Sequence, residues 1–288
     1  MMFKNNISWL NTCANPSCRA KSMRSKLMSS GAYLGQARYC SPDCLRVGLA
    51  EQFAELTQRP KSVPVRRQHR IPLGLELVSR GCINAETLKK ALQQQKQQPE
   101  TRIGEILMNI GVVSEEQITA ALASQWSVPV FRVNPGQVPE AAQMLPVALM
   151  KQYKMLPVHF VKQTNKLHLA FAQVVDRSIL YAIQQMLGVT TEACIADESS
   201  LMRVIDCASH MERPAEYVLN SMSDMELVGM IAGYALRLRA EKIFAANCND
   251  QIWVRAVSKN GEATHFLTSI TTRVLRCLAG MSTKRDEY

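Results

Sequence analysis

The sequence predicts an α+β multidomain chain: a small cysteine-rich module, a tandem helix-turn-helix repeat packed with a small α/β unit, and a final α/β block. Three observations carry that expectation. Two close cysteine pairs fall within the first 44 residues, a 30-residue repeat follows from Leu73, and beyond Trp126 the apolar pattern changes from helical spacing to alternation. At 288 residues, 47% hydrophobic and 20% charged, the chain has the length for two or three modules and the apolar content to give most of itself a core.

Residues 1–58 form the first predicted module. Cys13-Ala14-Asn15-Pro16-Ser17-Cys18 and Cys40-Ser41-Pro42-Asp43-Cys44 are two pairs, each able to bite one metal ion. Four thiolates suit tetrahedral zinc, held structurally because no coordination position stays open. Two disulfides or a redox switch are the alternatives. A helix is expected from about Pro42 to Thr57, with Leu45, Leu49, Phe53 and Leu56 at helical spacing. The second cysteine pair opens that helix, which resembles a treble-clef-like zinc finger. Residues 59–71 then read as an extended basic linker, with Pro60, Pro64, Arg66, Arg67 and Arg70.

The repeat occupies residues 72–128. Leu73, Gly74, Leu77, Gly81, Leu88, Leu92 and Gln95 return as Ile103, Gly104, Leu107, Gly111, Ile118, Leu122 and Gln125. Each copy predicts helix, turn, helix. Short first helices run over 75–80 and 105–110. Gly81 and Gly111 sit where a C-terminal glycine cap belongs, and Asn84 and Ser114 read as N-caps, with Gln117 completing a capping box. Leu88, Leu92, Ile118 and Leu122 would serve as core in any helical pair. Arg102, Gln95 and Gln125 point more sharply to a ligand, because polar residues at fixed repeat positions have no evident packing reason to recur.

Residues 129–212 predict a small α/β subdomain. Strands are expected at 128–133, 156–161, 166–172 and 190–195, and helices at 144–154, 176–187 and 198–207. Residues 213–288 form the last block, with a helix over 223–239, a three-strand meander at 242–246, 251–257 and 263–267, and a helix over 270–278.

Residues 72–125 resemble the tandem motif of the MshE-type N-terminal domain of bacterial type II secretion and type IV pilus ATPases. The second copy fits well: Arg102-Ile103-Gly104, Leu107, Gly111, Ile118, Leu122, Gln125. The first has Pro72 where the motif has arginine, and Arg70 is the nearest cation that could stand in. Leu145-Pro146 through Tyr153, Leu156-Pro157 and Leu167 to Ala172 are similar to the α/β half of the same domain. Residues 213–288 resemble a degenerate, PAS-like following domain of such ATPases, with Glu241-Lys242-Ile243-Phe244 where those enzymes have a Ser-Asp-Ile-His pattern. The resemblance implies that the repeat residues, from Leu73 to Gln125, bind cyclic di-GMP. Two matching copies suit its two-fold symmetry, arginine can read or stack on guanine, and glycines admit backbone amides to phosphate.

No Gly-x-x-x-x-Gly-Lys-Ser/Thr loop occurs in these 288 residues, so they carry no ATPase motor of the secretion type. No Gly-x-Ser-x-Gly, Gly-x-Gly-x-x-Gly or His-Glu-x-x-His occurs either, and the five histidines show no ligand spacing; no catalytic residue is assigned. No apolar run reaches membrane-spanning length and Met1 to Leu10 has no signal-peptide pattern, so a cytoplasmic protein without membrane insertion is expected. The net charge of +10 is uneven: residues 1–70 hold 12 Lys+Arg against 3 Asp+Glu. That excess suggests an anionic partner or a solvated arm. Three functions are therefore in play: a non-enzymatic cyclic di-GMP receptor, a ligand-free protein–protein adaptor of a secretion, pilus or glycosyltransferase system, and a zinc-dependent nucleic-acid-binding regulator.

Overall fold

The structure is a computed structural model that describes residues 13–18, 31–58, 70–219, 224–249 and 251–269. In chain order the elements are β1 (Ala32–Leu34), β2 (Ala37–Tyr39), α1 (Pro42–Gln58), α2 (Leu73–Ser79), α3 (Ala85–Gln97), α4 (Ile103–Asn109) and α5 (Glu115–Trp126). Then come α6 (Val147–Tyr153), β3 (Met155–Val161), β4 (Lys166–Phe171), α7 (Arg177–Leu187), β5 (Thr190–Ile195), α8 (Glu198–Ser209), β6 (Ala215–Val218), α9 (Asp224–Arg237), β7 (Ala240–Cys248), β8 (Gln251–Ser258) and β9 (Ala263–Ser269). The expected helix over 270–278 and all but the last two residues of the basic linker 59–71 lie outside the described residues. No described helix is long and apolar enough to cross a membrane.

The chain divides into two compact units, residues 1–63 with 214–288, and residues 64–213. The sequence reading set 1–58 and 213–288 apart as separate modules; the structure joins them. The reason is a six-stranded sheet of order β2-β1-β7-β8-β9-β6. β1 lies parallel to β7, with Tyr33 opposite Lys242 and Leu34 opposite Ile243, and the Gly35 amide donates to the Ile243 carbonyl at 2.9 Å. Neither β1 nor β6 was expected, because three- and four-residue strands carry too little periodicity to read. Among the described residues β6 pairs only with β9, remote in sequence, and β1 pairs with the adjacent β2 and with the remote β7. In β6, Tyr217 stacks on Phe266 with ring centroids 5.4 Å apart.

One face of this sheet carries α1 and α9. Leu45, Leu49 and Phe53 of α1 meet Leu227, Ile231 and Ala235 of α9 over Ile243, Val254 and Phe266. The apolar spacing expected of α1 therefore faces a core that the chain completes some 180 positions later. Gly48 lets α1 pack tightly against the hairpin: a Cβ there would lie 2.2 Å from the Tyr39 ring. Asn247 of β7 donates to the Leu56 carbonyl at 2.8 Å, satisfying a backbone acceptor in the last turn of α1.

In the second unit, β3, β4 and β5 form a sheet with β3–β4 antiparallel and β4–β5 parallel. Helices α6, α7 and α8 supply Leu149, Met150, Ile179, Ile183, Leu201 and Val204 to its core. Asp176, at the N-cap of α7, accepts from the Ser178 and Ile179 amides. The strand expected over 128–133 reduces to a single bridge between Val130 and Ile195. Pro129 has no amide to donate, so only its carbonyl and the Phe131 amide pair with Ile195.

Gly48→Val should push the Tyr39 ring off α1. Overpacking of this kind costs about 1–3 kcal/mol, and thermal unfolding of the variant should show an earlier melt.

Candidate functional site

The repeat folds as two matched helical hairpins, and their matched features are local chemistry. Gly81 and Gly111 have φ of 70° and 74°, a left-handed conformation that ends α2 and α4 at low cost for glycine. The Gly81 and Cys82 amides return to the Val78 and Leu77 carbonyls, and the Gly111 and Val112 amides to Met108 and Leu107. Asn84 caps α3 by accepting from the Thr87 amide at 2.8 Å. Ser114 caps α5 by accepting from the Gln117 amide, while Gln117 accepts from the Ser114 amide. The caps and the capping box agree with the sequence reading.

The copies then exchange partners: α2 packs on α5, and α3 on α4. Gln95, at the end of the first copy, donates to the Thr101 carbonyl just before α4, at 3.0 Å. Gln125, at the end of the second, donates to the Ile71 carbonyl just before α2, at 2.6 Å. Ile71 and Thr101 are themselves 30 residues apart. Such reciprocal contacts are those a two-fold arrangement makes. They correct the argument that recurrent glutamines have no packing reason: each ties its own copy to the start of the other.

The remaining motif residues divide by burial. Leu77 and Leu107 are fully buried, with Leu88 and Ile118 beside them in the same core. Gly74 and Gly104 are both buried, but only Gly74 sits at a close approach: a Cβ on it would meet Leu88 at 2.4 Å, whereas one on Gly104 would be in ordinary contact at 3.4 Å. Leu73, Ile103 and Leu122 are half-buried, and Leu92 is 45% exposed. Arg102 is exposed at the N-cap of α4, with φ −77° and ψ 147°. Pro72 holds the same place before α2, with φ −54° and ψ 141°. Arg70 does not fill the vacated role freely, since its guanidinium lies 3.2 Å from the centroid of the Trp126 ring. The copies also differ at Glu76, whose partner in the second copy is Ile106. Arg80, donating from 2.8 Å, and then Ser124 hold the Glu76 carboxyl below the usual range.

In the other unit, Cys13, Cys18, Cys40 and Cys44 converge, with all four Sγ atoms within 4.8 Å of one another. Cys18 and Cys40 lie 3.5 Å apart, and Cys40 and Cys44 3.8 Å. A tetrahedron of zinc–sulfur bonds of about 2.3 Å has edges of roughly 3.8 Å, so the cluster is shaped to hold such an ion. The β1–β2 hairpin brings the pairs together: the Ala14 amide donates to Arg38, and Cys40 follows β2 directly. Ser41 caps α1, with Pro42 at its first position, and accepts from the Cys44 amide at 3.2 Å. Asn15, also buried, donates from Nδ2 to Cys44 Sγ at 3.2 Å. Burial alone would raise the Cys44 thiol, yet the bonds from Ser41 and Asn15 bring it to about 7. Burial and its cysteine neighbours push Cys40 to about 12. Asn15 and Ser41 were not singled out from the sequence, although Ser before Pro at a helix start is a capping signal.

Residues 126–215 match the MshEN domain family, and this match covers the α/β half of the second unit, with the repeat immediately before it. The type IV pilus assembly ATPase PilB of Thermus thermophilus is 21% identical over 131 residues, which are 45% of this chain and 15% of that protein. The chain thus spans only a small part of that relative's length. A structure of MshE with cdg is 28% identical, covering 48% of this chain and 99% of that one, with a TM-score of 0.39. The N-terminal domain of XpsE is 18% identical, covering 46% and 91%, with a TM-score of 0.34.

Replacing Gln125 by Ala should leave the Ile71 carbonyl without its clamp and destabilise the repeat by about 1 kcal/mol; Gln95→Ala should do the same at Thr101. Denaturant unfolding without any ligand measures both. What the comparisons establish is a match of residues 126–215 to the MshEN domain family.

Proposed function

We propose that the chain is a cyclic di-GMP receptor that acts through a protein partner and carries no catalytic step of its own. The observation that supports this reading most is the reciprocal pairing of two copies of one motif directly before the MshEN match. A ligand with two equivalent guanines and two equivalent phosphates is complementary to such a surface. The exposed and half-buried members, Leu92, Leu122, Leu73 and Ile103, offer apolar contact to purine faces, and Arg102 is exposed at a helix start, able to meet a guanine edge or a phosphate. Leu77, Leu107, Leu88, Ile118, Gly74 and Gly104 support that surface from beneath.

The four-cysteine cluster is proposed as a structural zinc site. Four protein ligands leave no open position, so the ion would supply folding energy and no chemistry. The ligand-free adaptor reading draws its support from Pro72, which removes one of two arginines. The basic bias of residues 1–70 supports a nucleic-acid partner only by charge.

Calorimetric titration with cyclic di-GMP should show about one ligand per chain, weakened about tenfold in Arg102→Ala. Because Pro72 and Arg102 share one backbone conformation, Pro72→Arg should tighten binding by a similar factor. No heat from folded wild-type chain and from Pro72→Arg would leave the adaptor reading.

Metal analysis should find one zinc per chain, lost in Cys44→Ser. Cys40 is protonated at neutral pH without metal, so zinc affinity should rise with pH and binding should release protons. Chelation should lower the melting temperature of the wild-type chain and leave Cys44→Ser unaffected.

A further inference from the structure

The MshEN half contains a cavity of about 630 Å³ that none of the repeat residues lines. Its buried apolar lining includes Val133, Ala141 and Val158 of β3. Phe131 and Phe160 present aromatic surface to it, and Phe131 is 38% exposed. Arg132 and Lys162 stand at the rim, both exposed, and neither has an ion pair among the described residues. Glu140 also lines it, leaving the charged side chains a net of one positive. The loop opposite β3 is held in shape: Asn134 accepts from the Gly136 amide through Oδ1 and from the Gln137 amide through its carbonyl.

We infer that this cavity is a second binding site, which takes a small amphipathic monoanion: a flat apolar body with one sulfonate, phosphate or carboxylate. The volume falls in the range of small-molecule pockets. An aromatic body can lie against Phe131 and Phe160 in offset or edge geometry, and a single anionic group matches the net charge of the rim. The alternative occupant, a peptide strand added to the outer edge of β3, is opposed by the strand itself. Pro157 lacks an amide to donate, and the register with β4 shifts between Pro157 and His159. A proline and a bulge are how sheet edges are blunted against further pairing.

The probe is 8-anilinonaphthalene-1-sulfonate, titrated into full-length chain carrying methyl-labelled methionine, with no cyclic di-GMP present. Met144 lines the cavity, and its methyl resonance, identified by its loss in Met144→Leu, reports on occupancy. The expected result is saturable binding of one probe per chain that shifts the Met144 signal. Arg132→Glu should weaken it at least tenfold at unchanged melting temperature, while uncharged N-phenyl-1-naphthylamine binds within twofold of wild type. Lys162→Glu is read in the same way, so that a fold defect in one variant does not decide the result. An unmoved Met144 signal, or affinity indifferent to both charge reversals, would overturn the proposal. Because the repeat is untouched, either of those outcomes leaves the receptor reading standing.

Discussion

Parallel strands cannot be joined by a tight turn, and the pairing of β1 with β7 is the constraint on which the first unit depends. It closes a loop from Tyr33 to Lys242. Loop-closure entropy grows only as the logarithm of length, and for roughly 200 residues it amounts to about 5 kcal/mol. What offsets it is the core that forms once the strands meet: Leu49, Phe53, Ile231, Val254 and Phe266 are all nearly inaccessible to solvent. The same pairing lies beside the hairpin that gathers the four thiols, and with the packing of α1 on α9 it ties the cysteine cluster and the core to segments distant in the chain.

The second unit solves a different problem. Two hairpins of about 25 residues are each too small to bury a core alone, and here they share one. Exchanged packing, α2 with α5 and α3 with α4, makes the interface the same surface used twice. Glu115, at the start of α5, then accepts from the Ser199 amide and hydroxyl at 2.8 and 2.6 Å. That bond satisfies a free amide in the first turn of α8 and fastens the repeat to the α/β half.

Much of this was legible in the sequence because it is local. Gly81, Gly111, Asn84 and the Ser114–Gln117 box announce their conformations through chemistry within a few residues. The meander strands and α7 do so through periodicity. What escaped was non-local. Ala215–Val218 is a strand because β9 lies beside it, and Ala32–Leu34, paired locally with β2, joins the large sheet through β7. Val128–Val133 alternates like a strand yet finds only Ile195 to pair with. The converging cysteines followed from spacing, but Asn15 donating to Cys44 Sγ required the fold. Among the repeat residues, the offset of 30 located Gln95 and Gln125 without disclosing that their partners are the backbone carbonyls of Ile71 and Thr101.

The discontinuous first unit bears on how the chain is made. A ribosome adds on the order of 5–20 residues per second, so β1 emerges roughly 10–40 s before β7 can reach it. Residues 64–213 hold all the strands and helices of their own unit and can complete it during that interval. Leu34 and the apolar stripe of α1 spend the same time without the partners that later bury them. Translation speed and the supply of metal or chaperone to the nascent chain therefore bear on the yield of this unit more than on that of its neighbour.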